Sequence, residues 1–283
     1  MKSLILLILF CIPLYAEDSL VPYHELLETQ YSLFAHKRTY LIPVSYITNP
    51  NESLYEKPKE ADPGNTQDFY QNIEAEFQIS FFFPINRKVA KSKWDLLFAY
   101  NHHAWWQIYN SAWSKPFRET NYTPELFFRH VSKKNPREIL GMKVLGYDIG
   151  YIHQSNGQVE ALSRSWDRLF ARTHLLGTDY SLILSAWVRL PENRRQDDNS
   201  DIFDYMGTGE IHLQRFAGIH TYEVILPLAI KPGVEFRYSY PWQDSLRWFF
   251  NLRFGYGHSL IEYDQDTNRI GLGITLENFL DKR

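Results

Sequence analysis

His153, Ser155 and Asp167 are the three side chains whose types together could do acyl-transfer chemistry: an imidazole base, a hydroxyl nucleophile and an orienting carboxylate. Serine is a poor nucleophile until a base takes its proton, and the base works best when a third group fixes its tautomer. His153 and Ser155 are two apart in YIHQSNG. On a strand they share a face, with about 6.6 Å between Cα atoms. Asp167 lies in SRSWDR, beyond a turn at Asn156 and Gly157, and on the adjacent antiparallel strand it can supply the third group. The same residues also fit a plainer reading as polar ends of strands leaving a bilayer. Spacing alone leaves both readings open.

The elements that would position the trio are the two arms of a hairpin over residues 147–175. Read with the period of two that a strand imposes, the first arm puts Leu145, Tyr147, Ile149, Tyr151, His153 and Ser155 on one face. Gly146, Asp148, Gly150 and Gln154 take the other, with Ile152 as the exception. The second arm sets Ser163, Ser165, Asp167, Leu169, Ala171, Thr173 and Leu175 against Arg164, Trp166, Arg168, Phe170, Arg172 and His174. The trio therefore lies on the greasy, arginine-free side of the hairpin, where a soluble enzyme would not place it.

Outside the hairpin the same alternation recurs. Glu74, Glu76, Gln78 and Ser80 alternate with Ile73, Ala75, Phe77, Ile79, Phe81 and Phe83; Arg247, Asn251 and Arg253 with Trp248, Phe250, Leu252 and Phe254. Counting such segments near 40–46, 73–83, 94–100, 122–128, 145–155, 163–175, 180–190, 206–217, 222–228, 234–240, 246–256 and 270–276 gives twelve. The segment at 206–217 is the weakest, because Arg215 falls on its apolar parity. A soluble β-sandwich also alternates, but here long connections such as NPNESLYEKPKEADPGNT, NSAWSKPFRET and PENRRQDDNSD alternate with shorter ones. With Tyr and Trp marking strand ends, this predicts an all-β, twelve-stranded antiparallel transmembrane β-barrel over 38–283. Inward charges of both signs, Glu74, Glu76, Asp95, Arg164, Arg168, Arg172, Glu235, Arg237, Arg247, Arg253 and Glu277, predict a lumen filled by a salt-bridge network.

Composition narrows the class. The 283 residues are 16% aromatic, with 19 Tyr and 19 Phe, and a mean hydropathy of −0.39 argues against helical spans. A net charge of −3 and a pI near 6.4 give no reason to expect nucleic acid as a partner. Residues 1–16, MKSLILLILFCIPLYA, read as a cleavable signal peptide. The one Cys, Cys11, lies inside it, so the mature chain would have no thiol. Residues 17–37 form an N-terminal periplasmic segment, helix or extended arm.

HQSNG, SRSWDR and PFRETNY, with the strand order over 38–279, resemble the bacterial outer membrane phospholipase A family. The resemblance implies a calcium-dependent serine hydrolase of the outer membrane that cleaves phospholipid acyl esters, with phospholipase A1/A2 activity, active as a homodimer. It implies Ser155 as nucleophile, His153 as base, Asp167 as orienting residue and the Gly157 amide in the oxyanion hole. It carries the calcium ligands to the Ser163 hydroxyl, the Gln158 carbonyl and the Ser114 carbonyl of a partner subunit. With both termini in the periplasm, the site would face the cell exterior. The chain departs from the family at Asp167, where Asn is usual, and at Glu160, where Asp is usual. Its last four residues, after Phe279, also differ from the common aromatic terminus. His102 and His103 point to opposite faces and read as structural. A non-enzymatic pore or adhesin barrel is the competing function, separable by labelling Ser155 with a sulfonyl fluoride.

Overall fold

A computed structural model describes residues 33–51, 64, 70–132, 136–193 and 197–276. The predicted signal peptide, most of the 17–37 segment, Glu277 and the last four residues lie outside the described residues. Twelve long strands form one sheet. They are β1 Tyr40–Ile47, β2 Ile73–Asn86, β3 Trp94–Trp106, β4 Phe117–Val131, β5 Met142–Ser155 and β6 Ser165–Leu176, then β7 Tyr180–Arg189, β8 Gly209–Ala217, β9 His220–Pro227, β10 Val234–Gln243, β11 Leu246–Gly255 and β12 Thr267–Leu276. Each runs antiparallel to its neighbours, and β12 returns to β1 through pairs such as Ile270↔Tyr46 and Leu272↔Val44. No edge remains, which is the condition hydrocarbon imposes on backbone polar groups. The fold is the twelve-stranded antiparallel transmembrane β-barrel predicted from the alternation.

The parity of each strand survives in the structure. Ile149, Leu169, Val188 and Leu272 stand outward, from 48% to 62% exposed, a belt of side chains that only lipid can cover. No helix among the described residues is long and apolar enough to cross a membrane. The two-residue turns at 218–219 and 244–245 lie at one end. The longer loops 190–208 and 256–266 lie at the other, together with 156–164.

Inside, the predicted network is present. Glu74 accepts from Arg118 and Arg269 at 2.9 and 2.5 Å. Glu76 binds Arg253 at 2.8 Å, and Asp148 binds Arg129 at 2.7 Å. Two charges assigned to it stand apart. Asp95 accepts from the Lys88 amide in the adjoining turn, and the Arg164 guanidinium donates to the Ala161 and Ser163 carbonyls. Both lie at strand ends, where a nearby backbone group is closer than the lumen.

The lumen is not wholly polar. Phe82, Leu97, Ala99, Phe127, Ile152 and Phe170 pack into an apolar cluster inside it, so Ile152, the exception to the hairpin's parity, is a core residue. A cavity of about 590 Å³ remains between network and cluster. Phe34–Ala35 pair with Phe82 and Phe81, extending the ladder between β1 and β2, and turn His36 and Arg38 inward onto Glu125 and Glu223.

Strand boundaries differ from the alternation in two places. FRET, assigned to a long loop, opens β4, and Arg118 and Glu119 are buried there. The weak segment at 206–217 begins only at Gly209, after a short helix α1 (Ile202–Met206). Arg215 does sit on the outward parity, where its guanidinium lies 5.5 Å from the Tyr180 ring centroid.

Candidate active site

β5 and β6 pair so that His153 lies directly across from Asp167 and Ser155 from Ser165. The His153 Nδ1–Asp167 Oδ1 separation is 2.7 Å, the two side chains being 37% and 33% exposed on the outer face. A hydrogen bond there leaves Nε2 as the nitrogen that can act as a base. Ser155 occupies the same face two residues on, beside Tyr122 of β4. No hydrogen bond joins Ser155 to His153 among the described residues, an open spacing that apo sites often show before substrate draws the pair together. The structure thus brings all three predicted residues to one patch of the outer surface, at the long-loop end.

The turn after Ser155 is built by Asn156. Its side chain is buried, accepts from the Gln158 and Arg164 amides at 3.2 and 3.0 Å, and donates to the Leu162 carbonyl at 2.8 Å. This lattice presents Gly157 with a φ of +67°, a region that favours glycine. A Cβ at Gly157 would sit 3.2 Å from Tyr122 Cε2. The Gly157 amide donates to no protein acceptor among the described residues, so it is available to an oxyanion.

The inner face of the hairpin is locked. Gln154 Oε1 accepts from Trp166 Nε1 at 3.0 Å and from Arg168 Nη2 at 2.8 Å, while the Arg168 guanidinium stacks 3.7 Å from the Trp166 ring centroid. PFRETNY acts from the next strand. Glu119 accepts from Asn121 and the Ile261 amide, and makes a long 3.5 Å contact with Asn156. A hydrogen-bonded inner layer therefore backs the outer face that carries His153, Ser155 and Asp167.

The predicted calcium ligands are only partly gathered within one chain. Ser163 Oγ donates to Asp198 Oδ2 at 2.7 Å, and the Ser165 amide donates to Asp198 Oδ1 at 3.3 Å. The Gln158 amide is used by Asn156, and its residue is exposed. Ser114, at φ +56° in the loop between β3 and β4, touches neither Ser163 nor Gln158 among the described residues. The Glu160 side chain lies outside the described residues. In the same loop as Asp198, burial raises the Glu192 carboxyl, opposed by Arg189 and reinforced by Asp197 and Asp198. A hydroxyl, a free carbonyl and a carboxylate form a hard oxygen set that fits calcium. No group of three or more His, Cys, Asp or Glu that could hold a metal occurs among the described residues.

His102 and His103 do face opposite ways. His102 packs on the outside, 5.1 Å from the Tyr122 ring centroid, and His103 Nε2 donates inside to Glu76 Oε1 at 2.8 Å. Sequence reasoning missed Tyr151, whose hydroxyl lies 2.5 Å from Asp167 Oδ1. Its position two before His153 on the same parity was the available signal. It also missed Asp198, which no local spacing ties to Ser163.

The family model described as "Phospholipase A1" matches residues 22–276 of the chain. A Neisseria meningitidis serogroup B protein, provisionally named a phospholipase A1, is 35% identical over 84% of this chain, a match spanning 64% of that relative's length. A phospholipase A1 of Proteus vulgaris is 29% identical over 89% of this chain and 83% of its own. Among solved structures, the dimer of Salmonella typhi outer membrane phospholipase with bound calcium superposes with a TM-score of 0.80 at 28% identity. That match covers 90% of this chain and 97% of the other.

Proposed function

The chain belongs to the phospholipase A1 family, a family of phospholipid-hydrolysing esterases, and from that premise we propose that it is a calcium-dependent serine hydrolase of the outer membrane. The observation that carries the proposal is the His153–Asp167 pair at 2.7 Å on the lipid-facing surface, with Ser155 on the same face. Substrate arrives as a phospholipid lying alongside the barrel, its ester at the level of the pair.

His153 Nε2 takes the Ser155 proton as Oγ attacks the acyl carbonyl, and Asp167 stabilises the imidazolium that forms. The Gly157 amide donates to the oxyanion. His153 then returns the proton to the departing alkoxide, releasing lysophospholipid and leaving an acyl-serine. Water, deprotonated by the same imidazole, attacks that ester, and fatty acid leaves as Ser155 regains its proton. Ser163, Gln158 and Asp198 are the residues of this chain that would hold calcium, with Ser114 supplied by a second subunit. Held there, calcium would supply the positive charge that favours a developing oxyanion.

The long-loop end carries the trio, which supports an active site on the cell-exterior side, where polar outward residues cost only about 0–1 kcal/mol. The Salmonella typhi enzyme forms a calcium-bound dimer, and the proposal extends that assembly to this chain. Purified protein in detergent should release fatty acid from phospholipid only with calcium, and chelator should stop it. Ion conductance without any hydrolysis would favour the pore reading instead.

A further inference from the structure

We propose that Tyr151 is a positioning residue of this hydrolase, its phenol holding the Asp167 carboxylate in the geometry that orients His153. The inference rests on the reading of His153, Ser155 and Asp167 given above. Tyr151 lies two residues before His153 on β5 and stands on the same outer face. Directly across from it is Leu169, so Asp167 is its diagonal neighbour, within the reach of an aromatic side chain across two strands. The phenol Oη–Asp167 Oδ1 distance is 2.5 Å, and His153 Nδ1 lies 2.7 Å from that same oxygen. An ionised carboxylate accepts only, so the phenol must donate, and the separation is that of a charge-assisted O–H···O⁻ bond.

The arrangement answers a problem posed by the site's position. Inside the barrel, carboxylates are held by arginine; on the outer face Asp167 has no such partner among the described residues. Strand β7, packed against β6, turns Val188 outward across from Leu169, and its continuation brings Leu190 beside Asp167, whose backbone carbonyl accepts from the Leu190 amide. On the other flank the titratable side chains of the outer face at this level are Tyr122 on β4 and Tyr100 and His102 on β3, and none hydrogen-bonds to Asp167 among the described residues. His153 alone would leave the carboxylate free to swing about its χ angles. A second donor to the same oxygen fixes the oxygen, and with it the plane of the imidazole. Tyr151 also stands on the mid-membrane side of the pair, covering it from the acyl chains.

The test is a double-mutant cycle with Tyr151→Phe and Asp167→Ala, assayed for calcium-dependent fatty-acid release, with heat-modified gel mobility reporting the folded barrel. Tyr151→Phe should lower kcat about tenfold, the weight of one charge-assisted hydrogen bond, with KM little changed. In the Asp167→Ala background the same substitution should change kcat less than twofold. The acid limb of the pH profile should move to higher pH in Tyr151→Phe, because a carboxylate that has lost a donor binds protons, its own or that of the imidazole, more tightly. In Asp167→Asn that movement should vanish. A tenfold loss that persists in the Asp167→Ala background, or a rise in KM alone, would overturn the inference by making Tyr151 a lipid contact. If Ser155→Ala hydrolyses as well as wild type, the underlying reading fails instead, and the two failures are distinguishable.

Discussion

The barrel contains five histidine–carboxylate pairs among the described residues, four on its inner surface and one on its outer surface. Their differences say more than their likeness. Inside, His36 meets Glu125, His103 meets Glu76, His174 meets Asp148 and His212 meets Glu223. Each of those carboxylates is also claimed by an arginine: Arg172, Arg253, Arg129 and Arg38 respectively. Such a carboxylate is already neutralised, and its histidine is one strut in a lattice. Outside, among the described residues, Asp167 meets His153 and Tyr151, and a serine stands two residues from His153 on the same face. A histidine–carboxylate contact is thus no signature of catalysis. What distinguishes the outer pair is a carboxylate with no arginine among the described residues and a serine two residues from the imidazole on the same face.

The sharpest way to break this contrast is to exchange the two kinds of histidine. His153→Gln should reduce hydrolysis by at least about 10³-fold, as loss of a triad base does, with the barrel still folded. His174→Gln, on the inner face, should leave kcat within a few-fold of wild type. Equal loss of activity in both would erase the distinction. Arg253→Met comes next in size, because it takes a guanidinium from Glu76 and Glu235, which it binds at 2.8 and 3.1 Å, leaving Glu76 with His103 and Glu235 with Arg237. Removing one partner of a buried pair costs about 3–5 kcal/mol. Denaturant unfolding in micelles should show that destabilisation, with activity per folded molecule preserved.

Gly157→Ala probes the outer face without touching the trio. Its positive φ and a Cβ only 3.2 Å from Tyr122 should displace the turn, costing activity roughly 10–100-fold if the Gly157 amide serves the oxyanion. Unchanged kcat would remove that amide from the mechanism. The smallest effect is expected for Asp167→Asn, which keeps an acceptor for His153 and should retain substantial activity. Complete loss would mean that the carboxylate does more than orient the imidazole.

The strands were legible because lipid outside and charge inside force a period of two on each one. That is why Tyr151, His153, Ser155 and Asp167 were correctly placed outward from sequence. The lumen's apolar cluster was hidden because Phe82, Leu97 and Phe127 fall on the inward parity among charged and polar residues, and parity gives the face a side chain points to but not which inward side chains pack together. FRET looked like loop because its charges are polar on both parities, whereas Arg118 and Glu119 are buried at a strand end by Glu262 and the Ile261 amide of a distant loop. Asp198 belongs to the same class. It reaches Ser163 from 35 positions away, and only three-dimensional proximity identifies it.

The central claim is that the hydroxyl at 155 is a nucleophile activated by its neighbour on the outer face. It is tested most directly by treating the folded protein in detergent and calcium with a sulfonyl fluoride and mapping the adduct by peptide mass. The account predicts one modified serine, Ser155, with hydrolysis lost in proportion to labelling and no labelling in His153→Gln. An unmodified Ser155 in protein that still hydrolyses phospholipid, or equal labelling with His153 removed, would contradict it.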